Sequence, residues 1–228
     1  MIKHISFDVW NTLISANPEF AKARTQLLAD FTNVDFSLAK YEYTNLKRKA
    51  DDLSERNGIA LPTHVLVRIL LGSLLPDEPS QDTIRRYIMS MNDLFIEHHP
   101  IMPQSVIDLI DELVAAGVTV SIGSNSNFIS GKVMHPWINQ TVGEKFSFGV
   151  YSDLVRVGKP SAAFFGHIID EVRARRLEVR NAEILHVGDS DRCDRWGASE
   201  IGMNALLISD PNSTYNAVIN YLTKENHV

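Results

Sequence analysis

The stretch that decides the fold is IKHISFDVWNTL, which covers residues 2–13. Its first part, Ile2–Val9, is short and rich in β-forming side chains, so it predicts a buried strand. Asp8 falls at the carboxyl end of that strand, and a polar turn over residues 10–12 follows it. Functional side chains of open α/β sheets gather at the carboxyl ends of the strands. The stretch therefore predicts the first strand of a sheet and an acidic side chain at its edge.

The next 82 residues, 16–97, predict helices and no strand. Phe20, Leu27 and Phe31 recur at the spacing of a single helix face, and Ser80 is a suitable N-cap for a later helix. Because this block separates the first strand from all the others, we interpret it as an insertion. We expect a helical cap at 16–97 and a core formed by 1–15 together with 98–228.

Beyond residue 98 the pattern alternates between strands and helices. Predicted strands at 118–123, 146–151, 183–187 and 204–208 are separated by helical segments. Such alternation implies right-handed crossovers and a parallel sheet with helices on both faces. The predicted fold class is therefore α/β, a Rossmann-like doubly wound parallel sheet with an inserted α-helical cap.

Composition narrows the possible partners and the compartment. The 228 residues include 22 Lys and Arg against 28 Asp and Glu, a net charge of −6, which disfavours nucleic acid as a partner. The single cysteine, Cys193, fits a reducing compartment. Asp8 interrupts the apolar N-terminal stretch, so no signal peptide is predicted, and no stretch is long enough to span a bilayer. We expect a cytoplasmic protein without a membrane partner, and its oligomeric state stays open.

Four polar clusters lie after predicted strands or in loops. They are, in chain order, Phe7-Asp8-Val9-Trp10-Asn11-Thr12-Leu13, Ile122-Gly123-Ser124-Asn125, Val157-Gly158-Lys159-Pro160, and His186-Val187-Gly188-Asp189-Ser190 followed by Asp194. In order and spacing, over most of the chain, they resemble the four motifs of the haloacid dehalogenase-like hydrolase superfamily. The helical block after the first motif stands where the first cap type of the family is inserted.

The resemblance implies hydrolysis of a small phosphorylated substrate through an aspartyl intermediate on Asp8. It implies catalytic roles for Asp8, Lys159 and Ser124, and substrate binding by Asn125 and Thr12. It also implies Mg²⁺ as cofactor, with Asp8, the backbone carbonyl of Trp10, Asp189 and Asp194 as ligands.

Electrostatics independently favours a cation at the same place. Asp8, Asp189 and Asp194 are expected to converge at neighbouring strand ends. Two like charges about 4 Å apart repel by roughly 4 kcal/mol at an effective dielectric of 20. Oxygen ligands alone suit Mg²⁺ better than a transition metal.

The sequence departs from the family's phosphatase pattern at Trp10. Phosphatases of this family usually carry a second Asp there, which protonates the leaving group and later activates water. An indole cannot transfer a proton near neutral pH, and general acid–base catalysis is worth typically about 10²–10⁴-fold. Hydrolysis of ordinary alkyl phosphates is therefore expected to be impaired, unless a cap residue such as His64 supplies the proton.

Two alternatives stay open because of Trp10. In the first alternative, the enzyme breaks a carbon–halogen or carbon–phosphorus bond, as do relatives that also lack this Asp. Gly188-Asp189 argues against the dehalogenases, and the phosphonate branch needs a cap lysine, for which Lys22, Lys40, Lys47 and Lys49 are the candidates. The other alternative is a weakly active member that binds a phosphometabolite or a protein.

Overall fold

Five parallel strands form one sheet at the centre of the part of the chain that this computed structural model describes, residues 1–175 and 178–225. The strands are β1 (His4–Phe7), β2 (Thr119–Ser124), β3 (Phe146–Tyr151), β4 (Ile184–Gly188) and β5 (Asn204–Leu207), in the order β3-β2-β1-β4-β5. All neighbouring strands pair in parallel. The predicted α/β fold class with a Rossmann-like parallel sheet is confirmed.

The strand order reverses at β1, and this reversal positions the site. The chain passes from β1 to β2 and β3 on one side, then returns to β4 and β5 on the other. Phe7 pairs with Val187, so the residues that follow β1 and β4 lie side by side. A ligand crevice forms at such a switch point, beyond the carboxyl ends of the strands.

Helices cover both faces of the sheet. Their bounds are α1 (Pro18–Thr32), α2 (Phe36–Asn57), α3 (Thr63–Gly72), α4 (Gln81–Glu97), α5 (Gln104–Ala115), α6 (Gly131–Thr141), α7 (Ser152–Val155), α8 (Ala162–Arg175), α9 (Gly197–Ser199) and α10 (Pro211–Glu225), with a 3₁₀ turn at Asn181–Glu183 and a π-helical turn at Asp191–Trp196. On one face, Phe164, Phe165 and Ile168 of α8 belong to a cluster with Val150 of β3. A larger cluster on the other face includes Leu109 of α5.

Helices α1–α4 occupy the segment between β1 and α5, as the helical pattern predicts. Asn17 caps α1 by accepting a hydrogen bond from the backbone N–H of Glu19 at 2.9 Å. Within the block, the Phe20 and Phe95 rings meet edge to face at 6.0 Å. Reciprocal backbone hydrogen bonds between Ser15 and Ile101 tie the two ends of the insertion together. The division into a cap at 16–97 and a core at 1–15 and 98–228 stays a prediction.

Across the described ranges, no helix combines the length and apolar character that crossing a bilayer requires.

Candidate active site

Three carboxylates converge in the crevice at the reversal point. Asp8 is the first residue beyond β1, and its backbone N–H donates to Val187 at 2.9 Å, which continues the strand pairing. Asp189 directly follows β4, and Asp194 lies in the π-helical turn behind it. One oxygen from each of the three lies within 4.8 Å of the others. The structure thus brings together the three acidic side chains that the sequence predicts as metal ligands.

Lys159 places a positive charge between two of these carboxylates. Its Nζ donates to Oδ1 of Asp8 and to Oδ1 of Asp194, both at 2.6 Å. The lysine side chain is only 2% exposed, so both ion pairs lie out of solvent. Charge-assisted hydrogen bonds of this kind are short and strong, and they fix the orientation of both partners.

The charges around Asp8 do not balance, and its pKa reflects this. Burial raises the pKa of Asp8 to about 6, since the attraction of Lys159 is opposed by the nearby charges of Asp194 and Asp189. Burial also disfavours ionisation of Asp194, but Lys159 and the hydrogen bond from His186 outweigh it and lower the pKa of Asp194. For Lys159, the two carboxylates outweigh burial and raise its pKa, so the ammonium form persists.

Asp194 is held from three sides. Besides Lys159, His186 lies 3.0 Å from Oδ1, and the backbone N–H of Ser190 donates to Oδ2 at 2.9 Å. Gly188 leaves space for this carboxylate, because a Cβ there would lie 2.2 Å from Cγ of Asp194. Both oxygens of Asp194 are thus engaged by protein donors, and this side chain anchors Lys159.

Asn125 positions the backbone of Lys159. Its Oδ1 accepts from the Lys159 N–H at 2.8 Å, and its Nδ2 donates to the Lys159 carbonyl at 3.0 Å. The same Nδ2 lies 3.1 Å from Oγ of Ser54, which belongs to α2. Asn125 lines the cavity, but its amide is already occupied by Lys159 and the cap. Its predicted contact with substrate stays a prediction.

Asp189 is the most accessible of the three carboxylates. Asn11, whose φ of 58° turns the backbone sharply after β1, donates from Nδ2 to Oδ2 of Asp189 at 3.1 Å. Asp8 and Asp189 therefore retain oxygens directed at a common space. Hard oxygen donors grouped in this way fit Mg²⁺. The residues present thus suit the predicted cofactor.

A cavity of about 510 Å³ opens between the sheet edge and helices α1 and α2. From the core it is lined by the three carboxylates, Lys159 and Trp10; from the helical block it is lined by Phe20, Arg24, Tyr43, Lys47, Asp51, Ser54 and Glu55, among others. The volume suits a small metabolite.

Several predicted residues do not line this cavity. Thr12 and Ser124 are fully buried; the Thr12 hydroxyl has no hydrogen-bond partner in the described structure, and that of Ser124 lies 3.3 Å from the Asn125 carbonyl. Substrate contact by Thr12 and catalysis by Ser124 stay predictions. His64 is exposed on α3 and is not among the residues that line the cavity, and its role as a proton donor stays a prediction.

The cap lysines also separate into two groups. Lys47 lines the cavity and pairs with Asp51 at 2.7 Å, the solvated pairing that its spacing predicts. Lys22, Lys40 and Lys49 are exposed and lie outside the cavity lining. This arrangement offers no buried lysine from the cap for a Schiff base.

Sequence reasoning missed the residues that join the cap to the core. Asn127 donates to Oδ1 of Asp51 at 2.7 Å, and the Gly158 N–H donates to the Gly58 carbonyl at 2.9 Å. The Tyr43 and Phe128 rings lie 4.5 Å apart across the same boundary. The sequence carries only a weak signal for these contacts, because the two glycines and the two polar residues each have partners that are distant in the chain.

A family model for haloacid dehalogenase-like hydrolases matches residues 2–202 of the chain. The chain belongs to this family. The matched range includes Asp8, Lys159 and Asp189. No curated protein shows detectable sequence similarity to it.

Solved structures with the same fold include several kinds of family member. The putative HAD-hydrolase YfnB from Bacillus subtilis, described as bound to magnesium, has a TM-score of 0.69 at 16% identity, with 96% of this chain and 99% of that chain covered. A 2-haloacid dehalogenase from Pseudomonas syringae pv. Tomato DC3000 has a TM-score of 0.63 at 18% identity, covering 97% and 100%. A predicted phosphoglycolate phosphatase from Haemophilus somnus 129pt has a TM-score of 0.61 at 19% identity, covering 97% and 98%. At these identities the likeness is one of fold.

Proposed function

We propose that this hydrolase is a Mg²⁺-dependent phosphohydrolase of a small phosphorylated metabolite, working in the cytoplasm through an aspartyl intermediate on Asp8. The observation that carries the proposal is the grouping of Asp8 and Asp189 at the strand reversal, with Lys159 bonded to Asp8. A phosphoryl group brings negative charge into a site that already holds three carboxylates, so a cation must enter with it.

Asp8, Asp189 and the Trp10 carbonyl would hold the magnesium ion, with Asp194 behind them as the anchor of Lys159. When bound, the ion supplies charge neutralisation for the phosphoryl oxygens. Lys159 orients the Asp8 carboxylate and keeps it ionised, because its ammonium donates to Oδ1. The other oxygen of Asp8 is then free for attack.

The reaction takes place in two steps at Asp8. A carboxylate oxygen of Asp8 forms a bond to phosphorus as the ester P–O bond breaks, and the alcohol departs with a proton from solvent. Water then attacks the aspartyl phosphate, which releases inorganic phosphate and restores Asp8. Trp10 lines the cavity where family phosphatases place a proton donor. We therefore expect a preference for leaving groups that need no protonation, such as acyl and aryl phosphates.

Trp10 also favours a second candidate, cleavage of a carbon–halogen bond by the same nucleophile. An aromatic side chain beside Asp8 excludes water and suits an apolar substrate carbon. Asp189 opposes this candidate, because a halide displacement has no use for a second carboxylate that repels an anionic substrate. The two functions differ in their need for metal, and this difference makes them separable.

The test measures phosphate and halide release from acetyl phosphate, p-nitrophenyl phosphate and 2-chloropropionate, with Mg²⁺ and with EDTA. We expect phosphate release that requires Mg²⁺ and is lost in Asp8→Asn. Asp189→Asn is expected to raise the Mg²⁺ concentration needed for half-maximal rate by at least tenfold. Loss even of a residue that only supports a metal ligand commonly weakens metal binding by that much.

Asp191→Asn is the matched control. Asp191 is exposed two residues from Asp189 and pairs with Arg195, so its loss leaves the crevice unchanged. Halide release in EDTA would replace the proposal by the second candidate. Phosphate release that persists in Asp8→Asn, or that ignores Mg²⁺, would refute it.

A further inference from the structure

Among the residues that the structure describes, Arg24 is a cation in the cavity wall that forms no ion pair. It belongs to α1 and lines the same cavity as Asp8 and Lys159. In the described ranges its guanidinium makes one long hydrogen bond, from Nη1 to the Tyr43 hydroxyl at 3.4 Å, and no ion pair. Its Nε is buried and unpartnered. An arginine keeps its charge at all physiological pH values, so the guanidinium brings a positive charge to the cavity wall.

The guanidinium is nevertheless held in a defined position. Its central carbon lies 4.2 Å from the Tyr43 ring centroid and 5.7 Å from that of Phe20. The Tyr43 ring also contacts the buried Phe128 ring, at 4.5 Å between centroids, so the ring beneath the arginine is itself held in place. Stacking on aromatic rings fixes the plane of the fork and leaves its in-plane donors available.

Three acidic residues that line the same cavity already accept hydrogen bonds from other side chains. Asp51 accepts from Lys47 at 2.7 Å and from Asn127 at 2.7 Å, one bond at each oxygen. Asp8 and Asp194 accept from Lys159. A buried or half-buried fork with free donors is the arrangement that binds a planar anion with two parallel hydrogen bonds.

We propose that Arg24 recognises a second anionic group of the substrate, so that the metabolite carries a carboxylate or a further phosphoryl group besides the one that Asp8 attacks. This inference rests on the proposed phosphohydrolase function and adds the substrate class. The phosphoryl group occupies the sheet edge at Lys159, and the second anion lies against α1. The cap thereby selects the substrate through a charge that the core does not supply.

The test compares substrates that differ only in the second anion. Alkyl phosphates of two, three and four carbons are paired with their ω-carboxylated analogues and with the corresponding bisphosphates. Wild-type enzyme is expected to prefer an anionic member at one chain length by about 10- to 100-fold in kcat/KM, the value of one or two charged hydrogen bonds. Preference for the carboxylate or for the bisphosphate identifies which anion it is.

Arg24→Gln is expected to abolish the preference in kcat/KM for the anionic substrate. Arg24→Lys keeps the charge without the planar fork, so it is expected to reduce that preference only in part. Arg48→Gln is the control: Arg48 is exposed on α2, pairs with Asp52 and lies outside the cavity lining, so the preference should persist. Thermal melting of each variant shows that the fold is retained. An equal fall for both members of a pair would overturn the inference, as would a wild-type enzyme without preference.

Failure of the proposed function is distinguishable from failure of this inference. If wild-type enzyme releases no phosphate from any member, the phosphohydrolase proposal fails. Binding of the same pairs is then measured by titration calorimetry with Mg²⁺ present. Tighter binding of the anionic member that disappears in Arg24→Gln supports the role of Arg24, and equal binding in both proteins overturns it.

Discussion

The Nε2 atom of His186 lies 3.0 Å from Oδ1 of Asp194, and both side chains are buried. Burial lowers the pKa of His186, despite the opposing effect of the hydrogen bond to Asp194, so the ring is neutral and donates to the carboxylate. Its other nitrogen lies 3.2 Å from the Ser6 hydroxyl. The same oxygen of Asp194 accepts a hydrogen bond from Lys159, and Lys159 also donates to Asp8. His186, in β4, therefore helps to hold Asp194 in the orientation that positions Lys159.

Replacing His186 by Leu should therefore destabilise the protein and weaken the site. Asp194 then loses one donor while staying buried, which costs about 1–3 kcal/mol of unfolding free energy. His186→Gln offers an amide N–H at a similar reach and should recover much of the loss. Urea unfolding of both variants measures the difference. Equal stability of the Leu and Gln variants would show that packing, and not the hydrogen bond, decides this position.

His186 lies within the predicted strand at 183–187, but nothing in the sequence identifies its hydrogen-bond partner. Asp8, Lys159 and Asp189 are predictable as a group, because the carboxyl ends of parallel strands share one edge of the sheet. Asp194 belongs to the same motif, yet its contact with His186 depends on the π-helical turn at Asp191–Trp196, whose geometry no periodicity encodes.

The cap residues of the site are less predictable for a different reason. Periodicity shows which face of α1 is apolar: on that face Phe20 is buried, and Leu27 and Phe31 are half-buried against the core. It does not show how α1 is rotated above the sheet edge, and so it cannot place Arg24 in the cavity. That rotation depends on tertiary contacts of α1 itself, such as the edge-to-face contact of Phe20 with Phe95, which joins segments far apart in the chain.

Replacing Gly158 by Ala should disturb the contact between α2 and the loop that carries Lys159. A Cβ at Gly158 would lie 2.3 Å from Oγ of Ser54 and 2.9 Å from Oδ1 of Asn125. Either the cap or the Asn125 amide must then move, and both changes displace Lys159. We expect a fall in kcat/KM of at least tenfold and a loss of about 1–3 kcal/mol in stability, measured by steady-state kinetics and urea unfolding.

Two further variants separate this steric effect from the general cost of losing a glycine. At Gly166 in α8 an added Cβ meets no atom within 4 Å, so Gly166→Ala should leave activity unchanged and stabilise the helix by about 0.5–1 kcal/mol. Adding Ser54→Ala to Gly158→Ala removes the closest clashing atom and should restore part of the activity. Absence of any rescue would assign the clash to Asn125 instead.

Glu183 should make stability depend on pH in the acidic range. Its carboxylate accepts from the Arg180 side chain at 3.2 Å and backbone N–H at 2.9 Å, and pairs with Lys3 at 3.0 Å. The side-chain hydrogen bond from Arg180 is the largest of the effects that lower the pKa of Glu183 from 4.5 to about 2. Because the pKa is lower in the folded state, the carboxylate stabilises the protein at pH values above the pKa that Glu183 has in the unfolded chain. That contribution is lost as the pH falls from about 4.5 to about 2.

Comparison of the wild type with Glu183→Gln isolates this contribution. The difference between their urea midpoints should be largest at pH 7, where only the wild type is ionised. It should narrow steadily below pH 4.5 as the folded carboxylate takes up its proton. A difference that stays constant between pH 7 and pH 3 would mean that the glutamate acts by packing or neutral hydrogen bonding.

Introducing an acid at Trp10 tests whether a missing proton donor beside the nucleophile limits the rate of phosphate ester hydrolysis. Trp10 lines the cavity with Asp8, so Trp10→Asp brings a carboxyl group into the cavity where the proposed hydrolysis takes place. A general acid is worth up to about 10²–10⁴-fold, and the gain should appear for ethyl phosphate, whose alkoxide needs protonation, and be small for p-nitrophenyl phosphate. Trp10→Asn introduces a side chain of the same shape as Asp that cannot act as a general acid, so it reports the loss of the indole alone.

Because Trp10 also packs against the core, both variants should be assayed well below their melting temperatures. If Asp and Asn at this position give equal rates for ethyl phosphate, the proton comes from elsewhere, and the cavity-lining cap carboxylates Asp51 and Glu55 become the next residues to replace.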